Sequence, residues 1–181
     1  MRVKDADAVV AWQDLMRDCG VIDAVVETLD VILNKLRVND QLADGLKIGN
    51  ALRAISLFLS RCVKQNIHSQ EHLLRYQELL LAHIGANNNL VDTVKLLLEN
   101  NDTALDGITP SMTDAIFQTM RKQYIDGAGP RFASLLAALC TSNGVPKQRS
   151  QNVILESLTR HPEVMVQTSW VEGKLYCVEV S

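Results

Sequence analysis

Apolar residues return every three or four positions along nearly the whole chain. That period constrains the fold more than any other feature, because it is the repeat of an α-helix buried along one face. The cleanest stripe is Phe132, Leu135, Leu136, Leu139 and Cys140, spaced i, i+3, i+4, i+7, i+8. Ile22, Val25, Val26, Leu29, Ile32, Leu33 and Leu36 form a second, and Ile48, Leu52, Ile55 and Leu59 a third. Others run through Leu73, Leu74, Leu80 and Leu81, through Leu90, Val91, Val94, Leu97 and Leu98, and through Met112, Ile116, Met120 and Tyr124. Turn chemistry separates them: Gly20, Gly45 and Gly49, Gly85 with Asn87-Asn88-Asn89, Asn100-Asn101-Asp102, Gly127-Ala128-Gly129-Pro130 and Asn143-Gly144-Val145-Pro146. The pattern predicts helices over about 7–18, 21–37, 46–63, 69–84, 89–100, 111–125, 130–142 and 148–159. Ser111 is placed to cap its helix with Asp114 three residues on, and Pro130 suits a first helical turn.

Short loops between amphipathic helices make antiparallel neighbours, and stacked pairs of this kind build an all-α, armadillo-like helical repeat, an α-solenoid. Units of roughly 40 residues fit that class, although no self-similarity of sequence marks a repeat. A closed helical bundle is the alternative. The helical domain is expected over 1–162. After Pro162 the pattern changes to Val164, Val166 and the run Leu175-Tyr176-Cys177-Val178-Glu179-Val180, which predicts an extended C-terminal tail over 163–181.

At 181 residues, 47% hydrophobic and 22% charged, the chain has the balance of one globular domain with a sizeable core. A net charge of −3 supplies no global field for nucleic acid, and aromatics at 4% supply no stacking platform, so no nucleic-acid partner is expected. Cys19, Cys62, Cys140 and Cys177 are far apart, which predicts reduced, buried thiols and no cysteine metal site or redox pair. The N-terminus has no apolar leader and no run is long enough to span a bilayer, so the chain is expected to be soluble. A cytosolic piece of a membrane protein remains compatible with that.

The one motif with catalytic spacing is His68-Ser69-Gln70-Glu71-His72, an H-x-x-E-H pattern of one zinc peptidase class. It would need a third ligand, for which Glu99 or Glu156 are candidates, and the simpler reading is a solvated helix face with Glu71 near the positive end of the dipole. No metal and no cofactor are expected. Gly127-Ala128-Gly129-Pro130 follows no strand and reads as a linker, not a phosphate loop. Lys147 with Arg149, and Arg61 with Lys64, read as charges complementing helix ends, and Trp12 and Trp170 as buried anchors.

Several segments together resemble the helical domain of inositol trisphosphate receptors: Leu15-Met16-Arg17 with Gly20-Val21-Ile22, Asp92-Thr93, Leu97-Leu98-Glu99-Asn100-Asn101 and Ile108-Thr109. Pro130-Arg131-Phe132, Leu135-Leu136, Leu139 to Val145, Gln151 and Val166-Gln167-Thr168 continue it. Leu139 to Val145 with Ser150-Gln151 is equally similar to ryanodine receptors. The domain shared by both is the ryanodine and inositol trisphosphate receptor homology (RIH) domain, and the resemblance spans roughly 13–168.

The resemblance implies a non-catalytic regulatory domain of a homotetrameric calcium-release channel, on the cytosolic face of the endoplasmic reticulum, working as a ligand-binding or gating-coupling module. It implies a β-trefoil neighbour among the other domains of the channel, with inositol trisphosphate held between the two. In that family a Lys-Leu-Met-Arg motif and a Tyr-Arg-Lys triplet contact the phosphates. Here the first reads Asp14-Leu15-Met16-Arg17 and the second falls near Asn66-Ile67-His68, so the ligand residues carried over are Arg17, His68 and, by a shift of register, Lys64. A carboxylate at Asp14 puts negative charge where phosphate would lie, which opposes tight binding. The rival from another class is a free-standing armadillo-like scaffold that binds proteins in its groove.

Overall fold

The computed structural model describes residues 2–38, 45–85, 88–123, 129–164, 167–171 and 174–178. Tyr124, the Gly127-Ala128 pair and Val166 lie outside them, as do the side chains of Leu36, Trp170 and Cys177. Ten helices follow in order among the described residues: α1 (Arg2–Asp18), α2 (Val21–Val38), α3 (Gly45–Val63), α4 (Ile67–Leu74), α5 (Gln77–Ala82), α6 (Asn88–Leu98), α7 (Asp102–Asp106), α8 (Pro110–Gln123), α9 (Gly129–Cys140) and α10 (Gln148–Arg160). The short strands β1 (Thr141–Ser142) and β2 (Val145–Pro146) pair between α9 and α10. A 3-10 turn (Pro162–Val164) leads to an antiparallel hairpin of β3 (Gln167–Val171) and β4 (Lys174–Val178).

The fold is the all-α, armadillo-like architecture that the helical period implies. Helices α3, α6 and α9 lie side by side as a central row, α1 and α2 pack against α3, and α8 and α10 pack on each other and on α9. The apolar stripes turn inward: Ile22, Leu29, Leu59, Leu73, Leu90, Leu97, Leu105, Phe117, Phe132 and Leu139 belong to one buried cluster. At the seam of α3 and α6 small side chains let the helices approach, and Thr93 Oγ1 donates to the Ser56 carbonyl at 3.0 Å and pairs with Ser60 Oγ at 2.9 Å.

A repeat that the sequence conceals is plain in the backbone. Two residues past the end of α3, Gln65 is in the left-handed region (φ 57°), and two residues past the end of α6, Asn100 is in the same conformation (φ 58°). Each is followed by a buried asparagine that caps the next helix: Asn66 Oδ1 accepts from the Ser69 amide and Asn101 Oδ1 from the Ala104 amide, both at 3.1 Å. Between 59–72 and 94–107 these caps recur with different residues around them, so one conformation is reached by two unlike sequences.

Several sequence expectations are corrected. The helix expected over 69–84 is broken at Arg75–Tyr76, where the Tyr76 hydroxyl donates to Asp23 on α2 at 2.8 Å. Asn101-Asp102, read as a turn, opens the separate helix α7. Helix α8 starts at Pro110, so Ser111 lies inside it; Thr109 Oγ1 accepts the Met112 amide, and Asp114 pairs with Arg160 at 3.0 Å. Trp12 is 38% exposed and Cys19 is also exposed, because no described element covers that side of α1 and its end. Cys62 is buried as expected, and burial pushes its thiol up to about 11, which keeps it protonated and unreactive. Asn143-Gly144 does form a tight hairpin turn, both residues having positive φ (49° and 77°) as the twist of β1 and β2 requires.

Candidate functional site

The positions that match the family's phosphate motifs lie on the last turns of α1 and at the start of α4, and the structure brings most of them together. Gln13 and Asp14 face the turn between α3 and α4. Gln13 Nε2 donates to the Arg61 carbonyl at 2.7 Å and to the Lys64 carbonyl at 3.0 Å, satisfying acceptors that the end of α3 leaves open. Asp14 Oδ1 accepts from Asn66 Nδ2 at 3.0 Å, while Asn66 Oδ1 caps α4. One asparagine amide thus ties α1 to the helix that it initiates.

Arg17, the arginine retained from the family motif, is engaged on both sides. Its Nη1 donates to Asp14 at 2.7 Å and its Nε to Asp18 at 2.9 Å. The Asn66 hydrogen bond and the Arg17 guanidinium, with some help from the charge of His68, hold the Asp14 carboxyl below its ordinary range against the opposing effect of burial. The hydrogen bond that Arg17 donates to Asp18, with the one it donates to Asp14, raises its own pKa in turn. The Asp14 carboxylate is therefore paired, which corrects the reading of a lone charge aimed at a ligand. One cation between two carboxylates leaves no net positive charge for phosphate.

His68 is exposed on the first turn of α4, close enough for its charge to act on Asp14. Lys64 is also exposed, but it lines a groove with Val9, Val10, Trp12, Gln13 and Arg61. Sequence reasoning missed Gln13 and the capping role of Asn66. The only signal for the latter is an asparagine immediately before a helical stripe.

The second histidine of the H-x-x-E-H pattern has structural employment. His72 Nε2 lies 2.8 Å from Asp23 Oδ1, which also receives the Tyr76 hydroxyl at 2.8 Å and Arg75 Nη2 at 3.2 Å. This cluster joins α2 to the break between α4 and α5. Among the described residues no group of three His, Cys, Asp or Glu side chains converges as a metal site. Burial pushes the Asp23 carboxyl up, but the hydrogen bonds from Tyr76 and His72 and the charges of His72 and Arg75 outweigh it and hold the group below 3.8. Its contribution to stability is therefore full above the unfolded value and is lost as pH falls through the lower folded one. Asp23→Asn should lower the thermal midpoint at neutral pH, with the gap to the parent protein closing as the pH drops below 3.8. A gap that is constant with pH in thermal scans would show that the charge of Asp23 carries nothing.

A stack of paired helices of this kind belongs among the armadillo-like helical-repeat folds. The family model of the RIH domain matches residues 2–170, and the chain belongs to that family, the domain common to ryanodine and inositol trisphosphate receptors. No curated protein matches the chain. Among the described residues no helix is long and apolar enough to cross a membrane.

Proposed function

We propose that the chain is a non-catalytic regulatory RIH module of a calcium-release channel. In this reading it couples movement between neighbouring domains and does not hold inositol trisphosphate in the family's manner. One observation carries it: Arg17 is already bound by Asp14 and Asp18, and Asp14 by Asn66. A phosphate would have to displace two carboxylates from the guanidinium and then lie beside them. The family's phosphate-binding charges are here replaced by a latch between α1 and α4, so that the end of α1 moves with the α3–α4 turn. A rigid joint of this kind suits a relay of conformational change through stacked helices.

Family membership supports, as the parent assembly of this reading, a homotetramer at the endoplasmic reticulum, with this domain on the cytosolic side beside other domains of the channel, a β-trefoil among them. The helical domain over 1–162 would form the relay. The tail over 163–181 would be a separate segment, its first turn anchored by Val164 against the core.

Calorimetry at low salt tests the ligand side of this reading, since screening would hide a marginal electrostatic site. The unmodified protein should show no saturable uptake of inositol trisphosphate in the micromolar range. Asp14→Lys releases one of the two carboxylates on Arg17 and adds a cation, and should strengthen binding about tenfold or more. Arg17→Ala should then remove the gain. Micromolar binding by the unmodified protein, insensitive to both changes, would overturn the reading.

A further inference from the structure

We propose that the groove between the middle of α1 and the end of α3 with the turn that follows it is a docking site for an acidic, amphipathic helical segment of a protein partner. The groove encloses ≈ 730 Å³, enough for two or three side chains. One wall is apolar and open: Val9, Val10 and Trp12 are 53%, 41% and 38% exposed. Trp12 is held edge-on against Phe58, with ring centroids 6.0 Å apart and planes at 78°. An exposed indole already fixed by packing loses little freedom when a partner covers it, which is the property of a binding anchor.

The other wall is cationic. Arg61 and Lys64 sit one turn apart at the end of α3, both exposed, and among the described residues neither side chain has a carboxylate partner. Complementing the helix dipole accounts for cations at this end but not for an open tryptophan and two valines beside them. Gln13 lies in the lining, 1% exposed, with its amide nitrogen committed to the α3 carbonyls and its Oε1 buried without a hydrogen-bond partner among the described residues. An unused buried acceptor costs stability unless a donor reaches it.

Charge complementarity selects the occupant. A phosphate or inositol phosphate would use Arg61 and Lys64 but gain nothing from Trp12, Val9 and Val10. A helix with Leu or Phe at i and i+4 and Glu at i+3 and i+7 offers apolar side chains to the first wall and carboxylates to the second, on neighbouring stripes. The proposal does not use the latch at Asp14 and Arg17.

The test is fluorescence anisotropy of the full chain with a labelled 14-residue helical peptide bearing Leu and Phe on one face and Glu along its flank. Saturable binding that weakens with salt is expected. Arg61→Gln/Lys64→Gln and Val10→Glu should each weaken it about tenfold or more, and Arg149→Gln on α10 should leave it unchanged. Peptides with Glu→Gln or with Leu and Phe changed to Ser should each lose the interaction. Val10→Glu is chosen because Val10 is not the residue packed on Phe58, and circular dichroism checks that the variants are folded. Absence of binding overturns the proposal, as does binding indifferent to these substitutions. It is equally overturned if phosphatidylserine vesicles or inositol hexakisphosphate bind through Arg61 and Lys64 with Val10→Glu having no effect, since that would be a phosphate site.

Discussion

Phe132→Ala should destabilise the protein by about 3–5 kcal/mol, the usual cost of deleting a fully buried aromatic ring. Phe132 has no exposed surface and sits on α9, which closes the central row against α6. With a total stability of about 5–15 kcal/mol for an ordinary domain, one such loss removes a third or more of it. Urea unfolding followed by circular dichroism should show the midpoint moving sharply down, whereas Leu155→Ala, at a side chain 61% exposed, should move it by no more than about 0.5 kcal/mol equivalent. If both variants unfold at the parent's midpoint, α9 does not pack on α6 as described and the stack is wrong at its centre.

Phe132 was legible in the sequence for a simple reason: a helix face repeats at short range, so its buried members betray themselves by spacing alone. One boundary that was missed has no such local signal. Nothing in Arg75-Tyr76 resembles a turn, and the contact found at the break, the Tyr76 hydroxyl on Asp23, spans 53 residues. Trp12 was misread for the converse reason: a large apolar residue on an amphipathic helix looks buried until the neighbour that should cover it proves absent from the described residues. Family resemblance located Asp14 and Arg17 but not what they do. Their local pairing could have been inferred from i, i+3 spacing, whereas the hydrogen bond from Asn66 spans 52 residues and only the fold could supply it.

That long-range bond gives the two capping asparagines different duties although their conformations match. Asn101 is completely buried, and its Oδ1 serves the Ala104 amide at the start of α7. Asn66 is 4% exposed and serves the Ser69 amide in the same way, but its Nδ2 also reaches Asp14 on α1. In both units the cap lets the chain leave a left-handed residue and turn at once into a new helix. The second unit uses it only to turn, and the first uses it also to fasten the end of α1.

Asn101→Ala should therefore cost about 1–2 kcal/mol, because the Ala104 amide is left in a buried environment with no acceptor. Asn66→Ala should cost at least as much for the same reason, since the Ser69 amide loses its acceptor too. The two are separated in the background of Asp14→Ala, where the interhelical bond is already gone. There the penalty of Asn66→Ala should shrink, while that of Asn101→Ala, far from Asp14 in the stack and sharing no partner with it, should stay the same within about 0.5 kcal/mol. Chemical denaturation of the single and double variants measures both couplings. Amide exchange at Ser69 and Ala104 should rise in the matching asparagine variant, and Asp14→Ala alone should loosen the end of α1 without freeing the Ala104 amide. Equal coupling of Asp14 to both asparagines, or to neither, would mean that α1 is not latched to α4, and the conformational relay proposed for this domain would lose its joint.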